Sequence, residues 1–285
     1  MDFFLFLTNN KLMKPSNYLF GISIIIVMIA VWFVARPDKK MENSSSTTEI
    51  QKDAPLFVSF ENLIDAYPLI SDSLAQVRHL MAFDLSYNER HEQANWVMYV
   101  LTKEELLGTE KRKDNFRTDP KILTGSASLK DYKSSGYDRG HLAPAADMKW
   151  SKEVMSESFF MSNMSPQKPY FNRGVWKKLE EHVRKLVLQN DSILVITGPV
   201  FKDNIEIIGE NEVTVPGYYF KVLVDLTWPD NKAIAYLLKN EKSSENLTTF
   251  EITIDSLEIF SNYDFFYASP MANKLEDIAD LLLIE

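Results

Sequence analysis

The sequence contains no cysteine and only four histidines among its 285 residues. The absence of cysteine excludes disulfide bonds, thiolate metal sites and cysteine nucleophiles. Any metal ion must therefore be bound by oxygen or imidazole ligands, which favours a hard ion such as magnesium over structural zinc. Histidine is the side chain that titrates near neutral pH, and the four are His79, His91, His141 and His182.

An excess of positive charge is also absent, because the net charge of the chain is −9. That value by itself disfavours a polyanionic partner, but the charges are unevenly distributed. From Lys202 to the end there are 6 basic and 16 acidic residues, whereas the segment 168–185 contains 6 basic residues and 2 acidic ones. A local positive surface of this kind can attract phosphate groups. The net charge therefore does not exclude a nucleic-acid partner.

Charged residues are missing altogether from the apolar run 18–35, which is about as short as a membrane-spanning helix can be. Basic residues flank it on both sides, so the positive-inside rule gives no orientation. We interpret the run as an uncleaved membrane anchor that follows an N-terminal segment, 1–17. A cleaved secretory signal is the alternative, although no small-x-small cleavage site follows the run. Translation from Met13 instead of Met1 would leave a conventional short basic leader.

A polar segment, 36–54, follows the apolar run and includes Ser and Thr residues at 44–48. Because it shows no apolar periodicity, we interpret it as a flexible linker. The remaining residues, 55–285, are expected to form the folded domain. With 45% hydrophobic residues overall, the chain has enough apolar material for a sizeable core.

The spacing of apolar residues inside this domain predicts both helices and strands. Apolar residues at three- and four-residue intervals predict an amphipathic helix over 174–188. Polar, irregular residues at 112–133 predict a surface loop. Runs of branched and aromatic residues predict strands at 80–87, 96–101, 193–197, 218–226 and 233–238, with edge segments at 247–255 and 264–267. Regular βαβ alternation is missing, so we expect an α+β fold with a central antiparallel sheet and flanking helices.

The most informative segment is Asp138-Arg139-Gly140-His141. An imidazole that accepts a proton near neutral pH, beside a guanidinium that binds phosphate, suits phosphodiester cleavage. Further along, Asn172 and Glu180 are eight residues apart, which on an α-helix brings their side chains within about 80° of each other. Packing of the His141 segment against this helix would bring together a base, an oxygen ligand and a carboxylate, as in a hydrated magnesium site. Asn172 could also serve as a helix N-cap, and we interpret the other histidines as structural or solvated.

Three blocks of the chain together resemble the DNA/RNA non-specific endonuclease family. They are Asp-Arg-Gly-His at 138–141, Asn-x-x-Pro-Gln at 163–167 and Asn-x-x-x-Trp-x-x-x-Glu at 172–180. Weaker similarity extends from about Val77 to Pro270. The resemblance implies a metal-dependent nuclease with a ββα-metal active site, also called a His-Me finger.

The resemblance also implies roles for individual residues. His141 is expected to be the general base that takes a proton from the attacking water, and Arg139 to contact the scissile phosphate. Asn172 is expected to be the only direct protein ligand of one Mg²⁺, with Mn²⁺ as the alternative ion and water in the other positions. Glu180 is expected to hold and orient water around that ion. The products would carry 5′-phosphates.

Further residues are expected to support the site without taking part in the chemistry. Asp138 is expected to shape the turn or to brace His141, and Asn163 and Gln167 to support the site. Arg112 is expected to be an additional phosphate contact. Dimers are common in the family, so a homodimer is an additional expectation.

The leading hypothesis is a magnesium-dependent endonuclease, without sequence or sugar specificity, that acts on DNA and RNA. It would be attached to the membrane through 18–35 with the catalytic domain outside the cytoplasm, periplasmic or extracellular, or secreted after signal cleavage. Two alternatives remain open: a catalytically silent, membrane-anchored nucleic-acid-binding module, and a phosphodiesterase on another substrate. The presence of His141, Asn172 and Glu180 together disfavours the silent module.

Overall fold

The computed structural model describes residues 66–71, 74–203, 206–226 and 232–267. The predicted anchor at 18–35, the predicted linker at 36–54 and both ends of the predicted domain lie outside these residues. Within the described ranges, none of the helices combines the length and the apolar character that a bilayer-spanning helix needs.

A seven-stranded antiparallel sheet forms the centre of the described domain, as predicted. In spatial order its strands are β1 (Gln76–His79), β2 (Asp84–Asn88), β3 (Gln93–Thr102), β6 (Ser192–Val200), β9 (Tyr218–Asp225), β10 (Ala233–Lys239) and β11 (Glu251–Ile252). Two short ribbons lie outside this sheet: β4 (Asp138–His141) with β5 (Met164–Gln167), and β7 (Glu206–Ile208) with β8 (Val213–Val215).

Helical segments occupy the connections between strands. The α-helices of the described residues are α1 (Leu129–Tyr132), α2 (Lys152–Glu157), α3 (Lys177–Asn190) and α4 (Ile254–Ser261). Short 3₁₀ turns cover Glu105–Leu107, Met161–Asn163 and Leu247–Phe250, and a π-helical turn, Phe171–Trp176, leads directly into α3. The mixture of one antiparallel sheet with separate helices confirms the α+β class.

The two faces of the sheet carry different hydrophobic clusters because side chains alternate along each strand. On β9, Tyr219 and Leu223 lie in the cluster that contains Leu179 and Val183 of α3. Phe220, Val222 and Val224, which alternate with them along β9, belong to a second cluster, which includes Leu257 of α4. The amphipathic helix α3 therefore covers one face of the sheet, and the candidate site lies beside that helix.

Several element boundaries differ from the predictions. The predicted strand at 80–87 begins only at Asp84, because a turn closed by Leu80 N–H donating to Phe83 O (3.0 Å) separates it from the unpredicted strand β1. The predicted helix at 174–188 begins as α3 only at Lys177. The predicted edge segment at 264–267 contains one isolated bridge, between Asp264 and Leu69, instead of a strand.

The surface loop predicted at 112–133 is more ordered than expected. Helix α1 closes it, because the Ser128 side chain accepts from Lys130 N–H and Asp131 accepts from Ser128 N–H, a capping box. Ile122 and Tyr132 are also buried. The predicted edge segment at 247–255 is a 3₁₀ turn, the short strand β11 and the start of α4.

Candidate active site

Strand β4 is the Asp-Arg-Gly-His segment, and it pairs antiparallel with β5, which contains the Pro-Gln pair. Gly140 lies opposite Ser165, and His141 opposite Met164. A side chain at Gly140 would place its Cβ 2.1 Å from Cδ of the buried Gln167, so only glycine fits here. Two blocks that are separated by 21 residues in the sequence thus meet in one ribbon, and Gln167 packs across it.

His141 is 8% exposed and packs against two aromatic rings. The ring of Phe159 meets it edge-on, with centroids 4.9 Å apart at 90°, and the ring of Phe116 lies at 5.7 Å. Burial, together with the charges of Arg112 and Arg139, lowers the pKa of His141 to about 3. Nε2 is buried without a hydrogen-bond partner among the described residues. The imidazole is therefore neutral and can accept a proton.

The same two aromatic rings hold the guanidinium groups near His141. Cζ of Arg139 lies 4.4 Å from the Phe116 centroid, and Cζ of Arg112 lies 4.9 Å from the Phe159 centroid. Because the two rings are perpendicular with centroids 4.9 Å apart, they connect both arginines to the histidine. The structure thus brings together three residues proposed from the sequence. The two phenylalanines were not identified from the sequence, since no local signal distinguishes them from core residues.

Asn163 is fully buried and fixes the backbone that follows His141. Its Oδ1 accepts from Ala143 N–H (2.9 Å), and its Nδ2 donates to Ala143 O (3.0 Å) and to Ser158 O (2.8 Å). Its own carbonyl accepts from Leu142 N–H (3.0 Å). Every polar group of the side chain is thus used to hold the chain in place after β4.

Asn172 lies inside the π-helical turn that joins β5 to α3, and its Nδ2 donates to Asp138 Oδ2 (2.9 Å). Arg173 donates to both oxygens of the same carboxylate, at 2.8 and 2.6 Å. Asp138 therefore supports Asn172. Bracing of His141, one of the two roles expected for Asp138, is not seen among its hydrogen bonds in the described residues. The N-cap interpretation of Asn172 is wrong, because α3 begins at Lys177 after an uncapped Trp176.

The orientation of the Asn172 amide leaves its oxygen available. Because Nδ2 donates to Asp138, Oδ1 is directed away from that carboxylate and can accept a cation or a proton donor. Within the described ranges, no three His, Asp or Glu side chains are grouped to hold a metal ion. A cation at this position would therefore be bound by one amide oxygen and water, which fits a small hard ion such as Mg²⁺.

Glu180 follows on α3 and is half-buried. Burial raises the pKa of its carboxyl, and the nearby Lys221 and Arg184 charges oppose that rise. Lys221 lies on β9 and was not identified from the sequence, although a lysine in the run Tyr-Tyr-Phe-Lys-Val-Leu-Val is an unusual residue for a buried strand. The carboxylate side of the site therefore contains charges of both signs, whereas the charges that act on His141 are the guanidinium groups of Arg112 and Arg139.

The other three histidines have structural partners. His79 lies 2.9 Å from Asp84, and His91 lies 2.9 Å from the hydroxyl of Thr214. His182 packs edge-on against an aromatic ring of β10. None of the three adjoins the β4–β5 ribbon in sequence, and these contacts agree with their interpretation as structural residues.

Comparisons with known proteins agree with this geometry. The family model for DNA/RNA non-specific endonuclease matches residues 65–272. Human mitochondrial endonuclease G is 34% identical over 200 residues, which cover 65% of this chain and 67% of that protein. A nuclease of Nostoc sp. is 33% identical over 232 residues, which cover 76% of this chain and 83% of that protein.

A solved structure supports the same assignment at the level of the fold. The structure of EndoG in its complex with EndoGI matches with a TM-score of 0.66 and 30% sequence identity, over 72% of this chain and 90% of that chain. The family match covers well over half of the chain and includes all three sequence blocks. The chain therefore belongs to the DNA/RNA non-specific endonuclease family, a family of metal-dependent nucleases, and is itself a nuclease.

Proposed function

We propose that this nuclease hydrolyses phosphodiester bonds in both DNA and RNA without sequence specificity, using Mg²⁺ and leaving 5′-phosphate ends. The observation that carries the proposal is the buried His141 ring, with an unpartnered Nε2, near the guanidinium groups of Arg139 and Arg112. A base that can accept a proton and cations that can bind phosphate supply the proton transfer and part of the charge stabilisation that such a hydrolysis needs.

His141 takes the proton from the water that attacks phosphorus. A proton on the free ring is disfavoured by burial and by the two arginines, so the base is available well below neutral pH. Arg139 contacts the scissile phosphate, and Arg112 contacts it or its neighbour. Both guanidinium groups stabilise the negative charge that grows on the phosphate oxygens as the new bond forms.

Asn172 Oδ1 would hold the metal ion, for which Mn²⁺ is the alternative to Mg²⁺, and Glu180 would orient the water around it. When bound, the ion would supply positive charge that stabilises the charge developing on the phosphate and on the departing 3′ oxygen. Asp138 occupies the Asn172 amide nitrogen and so leaves the amide oxygen for the ion. These roles give the two parts of the site separate tasks: proton transfer and phosphate binding beside β4, and metal binding at the helix.

The absence of sequence specificity is supported by the kind of contact that the site offers. Arg139 and Arg112 are exposed cations suited to phosphate, and phosphate contacts carry no direct information about the base. The same contacts are available in DNA and in RNA, since both have the phosphodiester backbone. We therefore propose both nucleic acids as substrates.

We also propose that residues 18–35 attach the protein to a membrane with the catalytic domain outside the cytoplasm, periplasmic or extracellular. The uncharged run and the harm that a non-specific nuclease would do beside the genome support this proposal; release after signal cleavage is the alternative. A homodimer is proposed from the family resemblance alone. Protease treatment of intact cells tests the location, and light scattering tests the dimer.

The test of the function is a cleavage assay with the full chain on supercoiled plasmid and on RNA, with Mg²⁺, with Mn²⁺ and with chelator. Both nucleic acids should be cut only with a divalent ion, and the product ends should accept kinase label only after phosphatase treatment. His182→Gln, which alters a histidine outside the site, is the matched control and should cut normally. Binding without cleavage at any ion concentration would favour the silent module, and cleavage of small diesters alone would favour another phosphodiesterase.

A further inference from the structure

Lys221 is a buried cation in the middle of the sheet. It lies between apolar residues of strand β9, its side chain is fully buried, and its Nζ has no hydrogen-bond partner among the described residues. An ammonium group removed from water is strongly destabilising unless an opposite charge lies nearby. Lys221 therefore requires a counter-charge from a neighbouring element.

The alternation of β9 directs Lys221 toward helix α3. Tyr219 and Leu223, two residues away on either side, belong to the hydrophobic cluster that α3 covers. Lys221 lies on the same face of the strand. Its Nζ is 4.8 Å from the centroid of Trp176, the residue that precedes α3, in a cation–π contact.

Glu180 lies on the same side of α3 as Trp176. Trp176, Glu180 and Arg184 follow each other at intervals of four residues, so their side chains are neighbours along one stripe of the helix. At the far end of the stripe, Arg184 Nη1 donates to Asp147 Oδ1 (2.8 Å). Glu180 is thus located between the Trp176–Lys221 contact and the Arg184–Asp147 ion pair.

The charges that act on Glu180 come from three elements. They are Lys221 on β9, Asp147 in the segment after β4, and Arg184 and Glu181 on α3, and Lys221 is the largest of them. Burial raises the pKa of Glu180 and lowers the pKa of Lys221, and each charge opposes the change in the other. Asp147 already accepts from Arg184 and from the Tyr99 hydroxyl (2.9 Å). Since Asp147 is already paired, Glu180 is the carboxylate that can balance the charge of Lys221.

We propose that Lys221 is a positioning residue, a buried ammonium on β9 that serves as the counter-ion of the Glu180 carboxylate on α3. The inference rests on the proposed function, in which Glu180 orients water around the ion at Asn172. Lys221 acts only through Glu180, since it is enclosed by β9, Trp176 and α3. Without this cation, the buried carboxyl would take up a proton and could no longer accept from two water molecules at once.

The test compares single-turnover plasmid cleavage across pH for the wild-type chain, Lys221→Met, Glu180→Gln and the double variant. Lys221→Met should cleave about 10- to 100-fold more slowly than the wild type at pH 7. Its cleavage rate should recover as pH rises, because Glu180 then ionises without its partner. Glu180→Gln should lose rate without recovery at high pH. The double variant should be no slower than Glu180→Gln, because both changes remove one interaction.

Thr197→Val is the matched control, since Thr197 lies directly opposite Lys221 on β6 and its buried hydroxyl donates to Phe220 O (3.0 Å). It disturbs the same part of the sheet without removing a charge and should keep the pH profile of the wild type. A loss in Lys221→Met that is equal at every pH, or that multiplies with the loss in Glu180→Gln, would overturn the proposal.

Urea denaturation of the same four proteins separates this inference from the proposed function, because it needs no activity. Lys221→Met should lower the denaturation midpoint at pH 8, where Glu180 is left as an unpaired anion, and Glu180→Gln in the same chain should restore part of it. Wild-type cleavage without this restoration would overturn the role of Lys221. Restoration in a chain that does not cleave would support the Lys221–Glu180 pair and would overturn the nuclease mechanism.

Discussion

The two halves of the site are stabilised in different ways. On the β4 side, His141 is enclosed by the aromatic rings of Phe116 and Phe159, and no carboxylate hydrogen-bonds to its Nε2 among the described residues. On the helix side, Glu180 lies among buried charges, with Lys221 and Arg184 opposing the effect of burial. Burial favours the neutral form of both groups. The cations on the helix side oppose this effect of burial, because positive charge favours the ionised form of Glu180. The cations beside His141 reinforce it, because positive charge favours the neutral imidazole.

This difference matches the two chemical tasks that we propose for the site. A general base must be unprotonated before it acts, so an apolar pocket with nearby cations is the right environment for His141. A carboxylate that orients water must remain charged, so burial alone would be harmful at Glu180. The same physical effect, desolvation, therefore assists one half of the site and must be counteracted in the other.

The largest effect is expected from removing the base on the β4 side. His141→Ala should slow cleavage by about 10²–10⁴-fold, while the free energy of unfolding changes far less than the activity does. Single-turnover plasmid cleavage at saturating metal measures the loss. Cleavage by His141→Ala at the wild-type rate would show that the neutral pocket has no catalytic role.

The second largest effect is expected from a steric change in the β4–β5 ribbon. Gly140→Ala would place a methyl group against the side chain of Gln167, which is fully buried and has little room to move. We expect a destabilisation of about 1–3 kcal/mol in urea denaturation. Adding Gln167→Ala removes the opposing atoms and should recover part of the loss. No recovery in the double variant would mean that Gly140 is required for another reason.

A smaller effect is expected from the contact that links the two halves. Asp138→Ala frees the Asn172 amide from its fixed orientation, so the Mg²⁺ concentration for half-maximal cleavage should rise about tenfold. Arg173→Met is the matched control, because it removes the other partner of Asp138 and leaves the Asn172 bond in place. Equal shifts in the two variants would contradict the role assigned to Asp138.

The smallest effect is expected in the way the unfolding free energy of the metal-free protein depends on pH. Because the pKa of His141 is lower in the folded state, the neutral ring contributes to the stability of the fold above the unfolded pKa of 6.5. This contribution is lost as pH falls toward about 3. Relative to His141→Asn, the wild type should lose about 1 kcal/mol of unfolding free energy between pH 7 and pH 5.5. Parallel pH profiles for the two proteins would show that the ring is not held neutral.

The parts of the site that could be predicted from the sequence are those with a local signal. The Asp-Arg-Gly-His strand, Asn163 and Gln167 carry short-range patterns, and the structure places Gln167 opposite that strand and Asn163 in the turn directly before β5. The longer strands β3, β6, β9 and β10 were also predictable, because they are rich in branched and aromatic residues. Boundaries such as the start of α3 were missed, since a π-helical turn interrupts the spacing from which the helix was predicted.

The parts that were missed depend on contacts between distant segments. Phe116 and Phe159 are 43 residues apart and become a pair only when the loop after Arg112 folds over β4. Asp138 was expected to shape the turn or to brace His141, but alternation along β4 turns its carboxylate toward Asn172 instead. Lys221 did carry a signal, because a charge between apolar residues of a strand predicts that an opposite charge lies nearby. The sequence does not show which residue provides that opposite charge.

The separate tasks of the two halves are tested most directly by single-turnover cleavage measured against Mg²⁺ concentration for His141→Ala and Asn172→Ala. His141→Ala should remain slow at every concentration with an unchanged half-saturation point, since only the base is lost. Asn172→Ala should require a higher concentration to reach half of its maximal rate. Recovery of His141→Ala at high Mg²⁺, or a wild-type metal dependence in Asn172→Ala, would contradict the assignment of base and metal ligand to separate halves.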